Sequence, residues 1–590
     1  MIIPMEKVTL FTIKTQVSSV LHQLRKLGVI HVEQIKTPLS ANVGTLEDEI
    51  TDVKNALSLL KMYPDMKMLS EIDDVTSAVE EVLMLDDERT DLERKKESLL
   101  KQQEWYNEWG KVSLNSIKHL EESGFYVKLY QAPRSFMDKN KDNPNLFVVN
   151  EGKFDLKLAL ISRSLEEKLE LKEDHLPEME FKQVESELIR VTHKIDRIES
   201  DFKVSVQYVN TFEKYQNQLV KQLEFETIRF GMGEEGLLCY IRGYVPVDQV
   251  KKIKEYCDTN DCGYMFEACT EEDNPPVLIK NKRWINIIAP VFKFMGTVPN
   301  YNEFDISMWF LLFFGLFFAM LIGDAGYGVL FVVLTFFARK KFKNAPSEPF
   351  FLMYAMSGAT IFWGAITGTW FGVEKIAQLP VFSSLIIPSI SSFGVDNKEN
   401  IMHLCFFIGA VHLSIAHLLL AFRARKSLRA LGQIGWVGIV WGLYFVAHLL
   451  VLSQPIPMIG KGALIIGFSL VILFANAQKN MVKGALLSLS NIPLSAISTF
   501  SDVVSYVRLF AVGYASVVVA VSFNNMAMGI GFGSVFATLG AVFILVIGHG
   551  LNIILGAMAL IVHGVRLNML EFSGHLGMEW SGKEYEPFKE

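Results

Sequence analysis

Cysteine is scarce in this chain and shows no pattern. The five cysteines, Cys239, Cys257, Cys262, Cys269 and Cys405, include no CxxC pair, which argues for reduced thiols in a cytosol-facing region rather than a disulfide framework or a zinc site. The opening, MIIPMEKVTLF, has no positively charged stretch leading into an apolar core, so no signal peptide is expected. There is no basic tract, and the net charge of −7 is modest, so no nucleic-acid partner is expected. The polar half holds no phosphate-binding glycine loop, nucleophile triad or metal-ligand spacing. The expectation is a non-catalytic chain with no cofactor and no metal.

What is present is strongly divided. With 590 residues, 50% of them hydrophobic, and a mean hydropathy of +0.26, the chain is too apolar for an ordinary soluble enzyme. At 21% charged residues it is also too polar to lie wholly in a membrane. Residues 1–300 are dense in Lys, Glu and Asp, whereas 301–590 carry one bilayer-length apolar run after another. The expected organisation is therefore a cytoplasmic domain over 1–300 and a transmembrane domain over 301–590.

In the first half, MEKVTLFTIKTQVSSVLHQLRKLGVIHVEQI reads strand, helix, strand, with Val17, Leu21, Leu24 and Leu27 on one helical face. Two long charged helices follow. Leu85, Leu92, Leu99 and Tyr106 recur every seven residues, and Val184, Leu188, Val191, Ile195, Ile198 and Phe202 alternate steps of four and three. That is a coiled-coil seam. FYVKLY and NLFVVN are strand candidates in an insert over 124–162, and GLLCYIRGYVPVDQVKKIKEY gives a further strand, turn and helix. An antiparallel helical rod with an α/β lobe at each end is predicted, one lobe joining the chain start to the region after 227.

The second half has apolar runs at roughly 305–338, 350–372, 402–421, 434–452, 462–476, 498–528 and 533–566. Basic loops, ARKKFKN, FRARKSLR and NAQKNMVK, follow the first, third and fifth runs and are assigned to the cytoplasm. The N-terminal domain and C-terminal tail are then cytoplasmic as well. The first run must start and end on one side, and LIGDAGYG at its middle can break it into two short passes, giving about eight in all. The last two runs are long enough to be tilted or broken, the final one near Gly548 and Gly550.

Two arginines stand out. Arg508 lies inside SDVVSYVRLFAVGYASVVVAVSF, and Arg566 closes the next run in LIVHGVRLNMLEF. A guanidinium stays protonated at any cellular pH and costs at least about 3 kcal/mol at mid-bilayer, so it faces protein or water and marks ion paths. Snorkelling at a helix end is the plainer account, and it suits Arg566 better than Arg508. Ser498, Ser501, Ser505 and Arg508 share one helical face after Pro493, as do His549, Asn552, Gly556, Ala559, His563 and Arg566. Ala511, Gly513, Ala515 and Ser516 leave room for a close neighbour. The stripes suit two water-lined approaches that meet at a fixed positive charge.

These residues resemble the membrane-embedded a subunit of V/A-type rotary ATPases, called subunit I in bacteria and archaea. The resemblance runs the whole chain and is carried by MEKV…LHQLRKLGVIHVEQ, GTVPNYNEFD, GDAGYG, SYVRLFAV, HGVRLNMLEF and YEPF. It implies that Arg508 is the essential arginine facing the rotor ring and Arg566 the second arginine. His563 would be the common histidine before that arginine, and Glu571 the acidic residue of a VEF-like motif. With Ser501, Asp502, Ser505, Ser516, Asn552, His549 and Asp324, these are the candidate ion-translocation residues. Two departures stand out: Ser516 occupies the place of a histidine in eukaryotic relatives, and Gly556 that of a glutamate. The resemblance also implies a rotor proteolipid (c/K) ring, peripheral-stalk subunits of the E/G type, a central-stalk connector of the d/C type and the plasma-membrane bilayer as partners. The rival expectation is a self-contained transporter with a cytosolic coiled-coil sensor, but no convincing inverted repeat is visible.

Overall fold

The computed structural model of the chain describes all residues except 39, 64–73, 134, 135, 137–142, 152–154, 165, 261, 271, 272, 395, 396, 476–480 and 532, and only the backbone of 481–488 and 491. Helices of nine or more residues are numbered here. In chain order the first region contains β1 (Met5–Ile13), α1 (Val17–Leu27), β2 (His31–Glu33), α2 (Ala41–Leu60), α3 (Val75–Trp109) and α4 (Leu114–Glu122). Next come β3 (Tyr126–Pro133), β4 (Leu146–Glu151), β5 (Asp155–Ser162), β6 (Glu173–Asp174), α5 (Phe181–Ser205) and α6 (Val209–Gly231). The sheet elements end with β7 (Gly233–Glu235), β8 (Leu238–Pro246), α7 (Val250–Thr259) and β9 (Gly263–Ala268). The apolar half supplies α8 (Ser307–Ile322), α9 (Ala325–Lys341), α10 (Glu348–Thr367), α11 (Asn397–Arg423) and α12 (Arg429–Leu452). It closes with α13 (Met458–Phe474), α14 (Met481–Ser505), α15 (Val507–Ile530) and α16 (Val535–Ala559).

Two compact units result: Met1–Phe11, Leu27–Glu33 and Arg242–Lys589 form one, and Thr12–Lys26 with Gln34–Ile241 the other. The division departs from the boundary expected at 300 because the C-terminal tail is sewn into the first lobe. Val277 N–H donates to Lys583 O at 2.7 Å and Phe588 N–H to Ile30 O at 2.8 Å, while the Tyr585 hydroxyl donates to Val29 O at 2.6 Å. Backbone pairing of this kind satisfies groups that would otherwise be buried bare. The lobe's sheet has the order β2-β8-β1-β9, with antiparallel pairing of β1 to β9 and of β2 to β8. It joins the chain start to residues after 227, as the sequence predicts.

In the other unit the heptad positions of two helices meet in shared cores. Leu99 and Tyr106 of α3 share a core with Val184, Val191 and Ile195 of α5, and Val79 and Val82 cluster with Ile198 and Phe202. Early residues of α3 thus meet late residues of α5, an antiparallel pair. Lys95 Nζ bridges it to Glu187 at 2.5 Å. The insert is a sheet of order β4-β5-β3-β6; β5 and β6 carry it to residue 174, past the expected limit of 162.

Among the described residues, five helical segments are long and apolar enough to cross a membrane, and the pair α8 and α9 meets that test jointly with a 118° bend between them. α13 is a shorter apolar helix. The bend falls within LIGDAGYG, where Gly323 ends α8 in the left-handed region at φ 68°. One expectation fails. α16 runs unbroken through Gly548 and Gly550. Gly548 instead allows close packing, since a Cβ there would sit 2.2 Å from the Phe523 ring. α14 passes through Pro493 and gives way to α15 at Tyr506, so the 498–528 run is broken, one of the two alternatives its length leaves open. Of the third basic loop, NAQKNMVK, residues 476–480 lie outside the described residues.

Candidate functional site

The site forms where α15 begins and α16 ends. At the α14–α15 junction the turn tightens, with Leu509 N–H donating to Tyr506 O at 3.0 Å. The freed Ser505 carbonyl accepts the Arg508 Nε–H at 2.9 Å. Tyr506 is fully buried, and its hydroxyl meets His412 Nδ1 at 2.8 Å, which pins the junction to α11.

Beyond α16 the chain widens into π-helical turns over Leu560–Gly564 and Leu567–Phe572, a distortion common at functional sites. The widening corrects the single-face reading of the final stripe. Asn552, Gly556 and Ala559 are buried, but the inward positions then become Gly564, Leu567, Asn568 and Glu571. His563 is left half-buried and Arg566 exposed. Glu571 turns inward: its Oε1 accepts from Arg508 Nη2 at 2.7 Å and Ser505 Oγ at 2.8 Å, and Arg566 Nε stands 3.7 Å away. Glu571 is 4% exposed, Arg508 25% and Arg566 55%. Glu571 Oε2 and His563 Nδ1 are buried with no partner among the described residues. Four predicted residues, Ser505, Arg508, Arg566 and Glu571, therefore form one cluster.

A second polar group gathers three more. His549 Nδ1 meets the Tyr327 hydroxyl at 2.7 Å and His549 Nε2 meets Asn524 Oδ1 at 3.1 Å. Asn552 Nδ2 donates to the same hydroxyl at 3.1 Å and to Ser516 O at 2.9 Å, and Ser516 Oγ donates to Ile322 O at 3.3 Å. The approach of α15 to α8 depends on Gly513, where a Cβ would lie 2.4 Å from Met320 O.

Asp324 joins neither group. It caps α9, with Oδ1 accepting from Gly326 N at 2.8 Å, Tyr327 N at 3.3 Å and Phe371 N at 2.8 Å, and Oδ2 accepting from Gly372 N at 2.9 Å. Four backbone donors hold its carboxyl group in place. It ties the α8–α9 break to the segment after α10. Ser501 is exposed on α14, and its neighbour Asp502 pairs with His575 at 3.1 Å.

Sequence reasoning missed Tyr327, Asn524, His412, Tyr506, His417 and His575. His412 and His417 sit inside an apolar run, so the rule that flagged Arg508 also applies to them.

No protein-family model matches the chain. V-type ATP synthase subunit I of Borreliella burgdorferi is 32% identical over 611 aligned positions, covering 100% of this chain and 99% of that protein. V-type ATP synthase subunit I 1 of Treponema pallidum is 29% identical over 625 positions and 100% of both chains. A-type ATP synthase subunit I of Methanocaldococcus jannaschii is 25% identical over 79% of this chain and 71% of its own. The solved cytoplasmic N-terminal domain of a subunit I covers 44% of this chain and 100% of its own at 14% identity, with a TM-score of 0.23. On the full-length matches, the chain belongs to the subunit I family of V-type ATP synthases.

Proposed function

We propose that this chain is the non-rotating, ion-conducting membrane subunit of a V/A-type rotary ATPase. Residues 301–590 form the conducting domain in the plasma membrane. The fold-back between α8 and α9 supports two passes there, with α10, α11, α12, α13, α14 with α15, and α16 as the other six. Residues 1–300 form the cytoplasmic arm, on which peripheral-stalk subunits of the E/G type dock; the central-stalk connector of the d/C type is a further neighbour. The chain hydrolyses nothing itself.

The observation that carries this reading is the charge count at the α15 entry. Two guanidiniums, Arg508 and Arg566, surround one carboxylate, Glu571, leaving one positive charge over. A rotor ring carries one mid-membrane carboxylate per subunit, and each must be neutral to face lipid. One excess positive charge matches one emptied carboxylate at a time. Arg508 is held by Glu571 and Ser505 yet remains partly open, so it is pre-positioned and can exchange partners. The emptied carboxylate is favoured beside Arg508 and the loaded one is not. Loading through one approach and unloading through the other ties ion flow to rotation.

The test is Arg508→Gln, which keeps size and hydrogen bonding but removes the charge. Attraction at about 4 Å is worth about 4 kcal/mol at an effective dielectric of 20, roughly a thousandfold bias before desolvation is subtracted. Coupled ion uptake into vesicles should vanish at matched assembly. Near wild-type pumping would refute the mechanism.

A further inference from the structure

Two histidines outside the ion path described above lie in a row between an amide and a carboxylate. His417 is in the last two turns of α11 and Gln433 is near the start of α12. His575 follows the wide turns and Asp502 is on α14. His417 Nδ1 is 2.9 Å from Gln433 Oε1, His417 Nε2 is 3.1 Å from His575 Nδ1, and His575 Nε2 is 3.1 Å from Asp502 Oδ2. Trp436 stacks on His417 with ring centroids 5.8 Å apart. His412 is within electrostatic reach of His575, and Tyr506 lies close to Asp502, Glu571 and Arg508.

With Asp502 ionised, both ends of the row are acceptors, so three hydrogen bonds need three protons on four ring nitrogens. Two neutral imidazoles carry two. Filling all three bonds therefore takes one proton more than two neutral rings carry. The row has a second filling that keeps the same three bonds. With Asp502 protonated, its O–H donates to His575 Nε2, His575 Nδ1–H donates to His417 Nε2, and His417 Nδ1–H donates to Gln433. Passing from this state to the first breaks one O–H bond and forms one N–H bond, and no heavy atom has to move.

We propose that Asp502, His575 and His417 form a proton relay on the cytosolic side of Arg508. The proposal rests on the ion-path reading above. Asp502 stands one turn from Ser505, whose hydroxyl reaches Glu571 at 2.8 Å. It accepts the proton given up by a rotor carboxyl and passes it to the histidine pair. The pair releases it to water where His575 and Asp502 are 12% and 27% exposed. The row presents ring N–H groups where a sodium ion would need oxygens, so the species conducted there is the proton.

The test uses the assembled complex in inverted membrane vesicles, whose cytosolic face meets the buffer, and reads ATP-driven acidification. His575→Gln keeps a hydrogen-bonding side chain that cannot carry the proton, and His575→Ala opens a space that added imidazole can enter. Both variants should pump about tenfold more slowly or worse at matched assembly. Imidazole should restore His575→Ala and not His575→Gln, and the acid limb of the pumping pH profile should shift in both. The relay is overturned by wild-type rates in both variants, by slow pumping with neither rescue nor a shifted profile, or by sodium uptake in place of acidification. Arg508→Gln run alongside separates the two readings. Normal pumping in that variant removes the ion path itself, whereas a dead Arg508→Gln beside normal His575 variants removes only the relay.

Discussion

Asp324 and Glu571 are both carboxylates within the apolar half, 2% and 4% exposed, and they are satisfied in opposite ways. Asp324 accepts from four backbone N–H groups on two segments. Those donors belong to the fold and cannot swing away without unfolding it. Glu571 is held by side chains, Arg508 and Ser505, with Arg566 near and one oxygen unpartnered. Side chains can change partners at the cost of a rotamer. Burial is alike at the two carboxylates; the identity of the donors is what differs.

The comparison breaks if the two carboxylates behave alike when neutralised. Glu571→Gln raises the local charge from one positive to two, which binds the rotor carboxylate more tightly. At about 6 Å and an effective dielectric of 20 the extra attraction is about 3 kcal/mol, so release should slow on the order of a hundredfold. Gln still hydrogen-bonds to Arg508 and Ser505, so assembly should survive. Ion uptake per assembled complex is the measurement, and unchanged uptake would show that Glu571 is as structural as Asp324. Arg566→Gln should cost less, about tenfold or below, because an exposed guanidinium is screened by solvent.

Asp324→Asn should show the reverse pattern. An amide can still accept from Gly326, Tyr327 and Phe371, but its NH₂ would face the Gly372 N–H, donor to donor. Losing a charged acceptor at a buried donor costs about 1–3 kcal/mol. The apparent Tm and the yield of assembled complex should fall, while uptake per assembled complex stays within about twofold, on the scale of a change that leaves the barrier untouched. A normal Tm with abolished uptake would return Asp324 to the ion path.

This contrast also marks where the sequence stops being readable. Arg508 and Arg566 are legible because a charge inside or closing an apolar run conflicts with its surroundings, whereas Glu571 is reached only through the resemblance carried by HGVRLNMLEF. The pairing of α3 with α5 is legible in part because Leu99 and Tyr106, like Val184 and Val191, stand seven residues apart, and all four share one core. The cap made by Asp324 is not readable because two of its donors, Phe371 and Gly372, lie 47 and 48 residues away in the chain, and no local pattern reports such a partner. The stripe on α16 failed past Ala559 because a π turn changes the residues per turn without any marker in the sequence. The place of the break in 498–528 is not readable, because it falls at Tyr506, which is tied to His412 on another helix. The His417–His575 pair spans 158 residues, beyond any periodicity.

A third polar group sharpens the comparison at its weak end. His31, in the lobe outside the apolar half, has Nδ1 2.9 Å from Glu586 O and 3.1 Å from Glu586 N, so it meets one backbone residue, as donor or acceptor according to its tautomer, where Asp324 meets four. Burial pushes its pKa below the usual 6.5, with the Glu586 backbone hydrogen bond and charge acting in the opposite direction. The folded state therefore prefers the neutral ring. Its contribution to holding the tail is full above about pH 6.5 and declines as pH falls through and below that value, because the released histidine binds the proton more readily. Hydrogen exchange at the Glu586 and Phe588 amides should quicken by about two- to fivefold between about pH 7.5 and 5.5, after correction for intrinsic exchange, a scale set by local rather than global opening. His31→Gln, which offers an acceptor that does not titrate, should flatten that dependence. A slope that persists in His31→Gln would assign the acid sensitivity of the tail to another group.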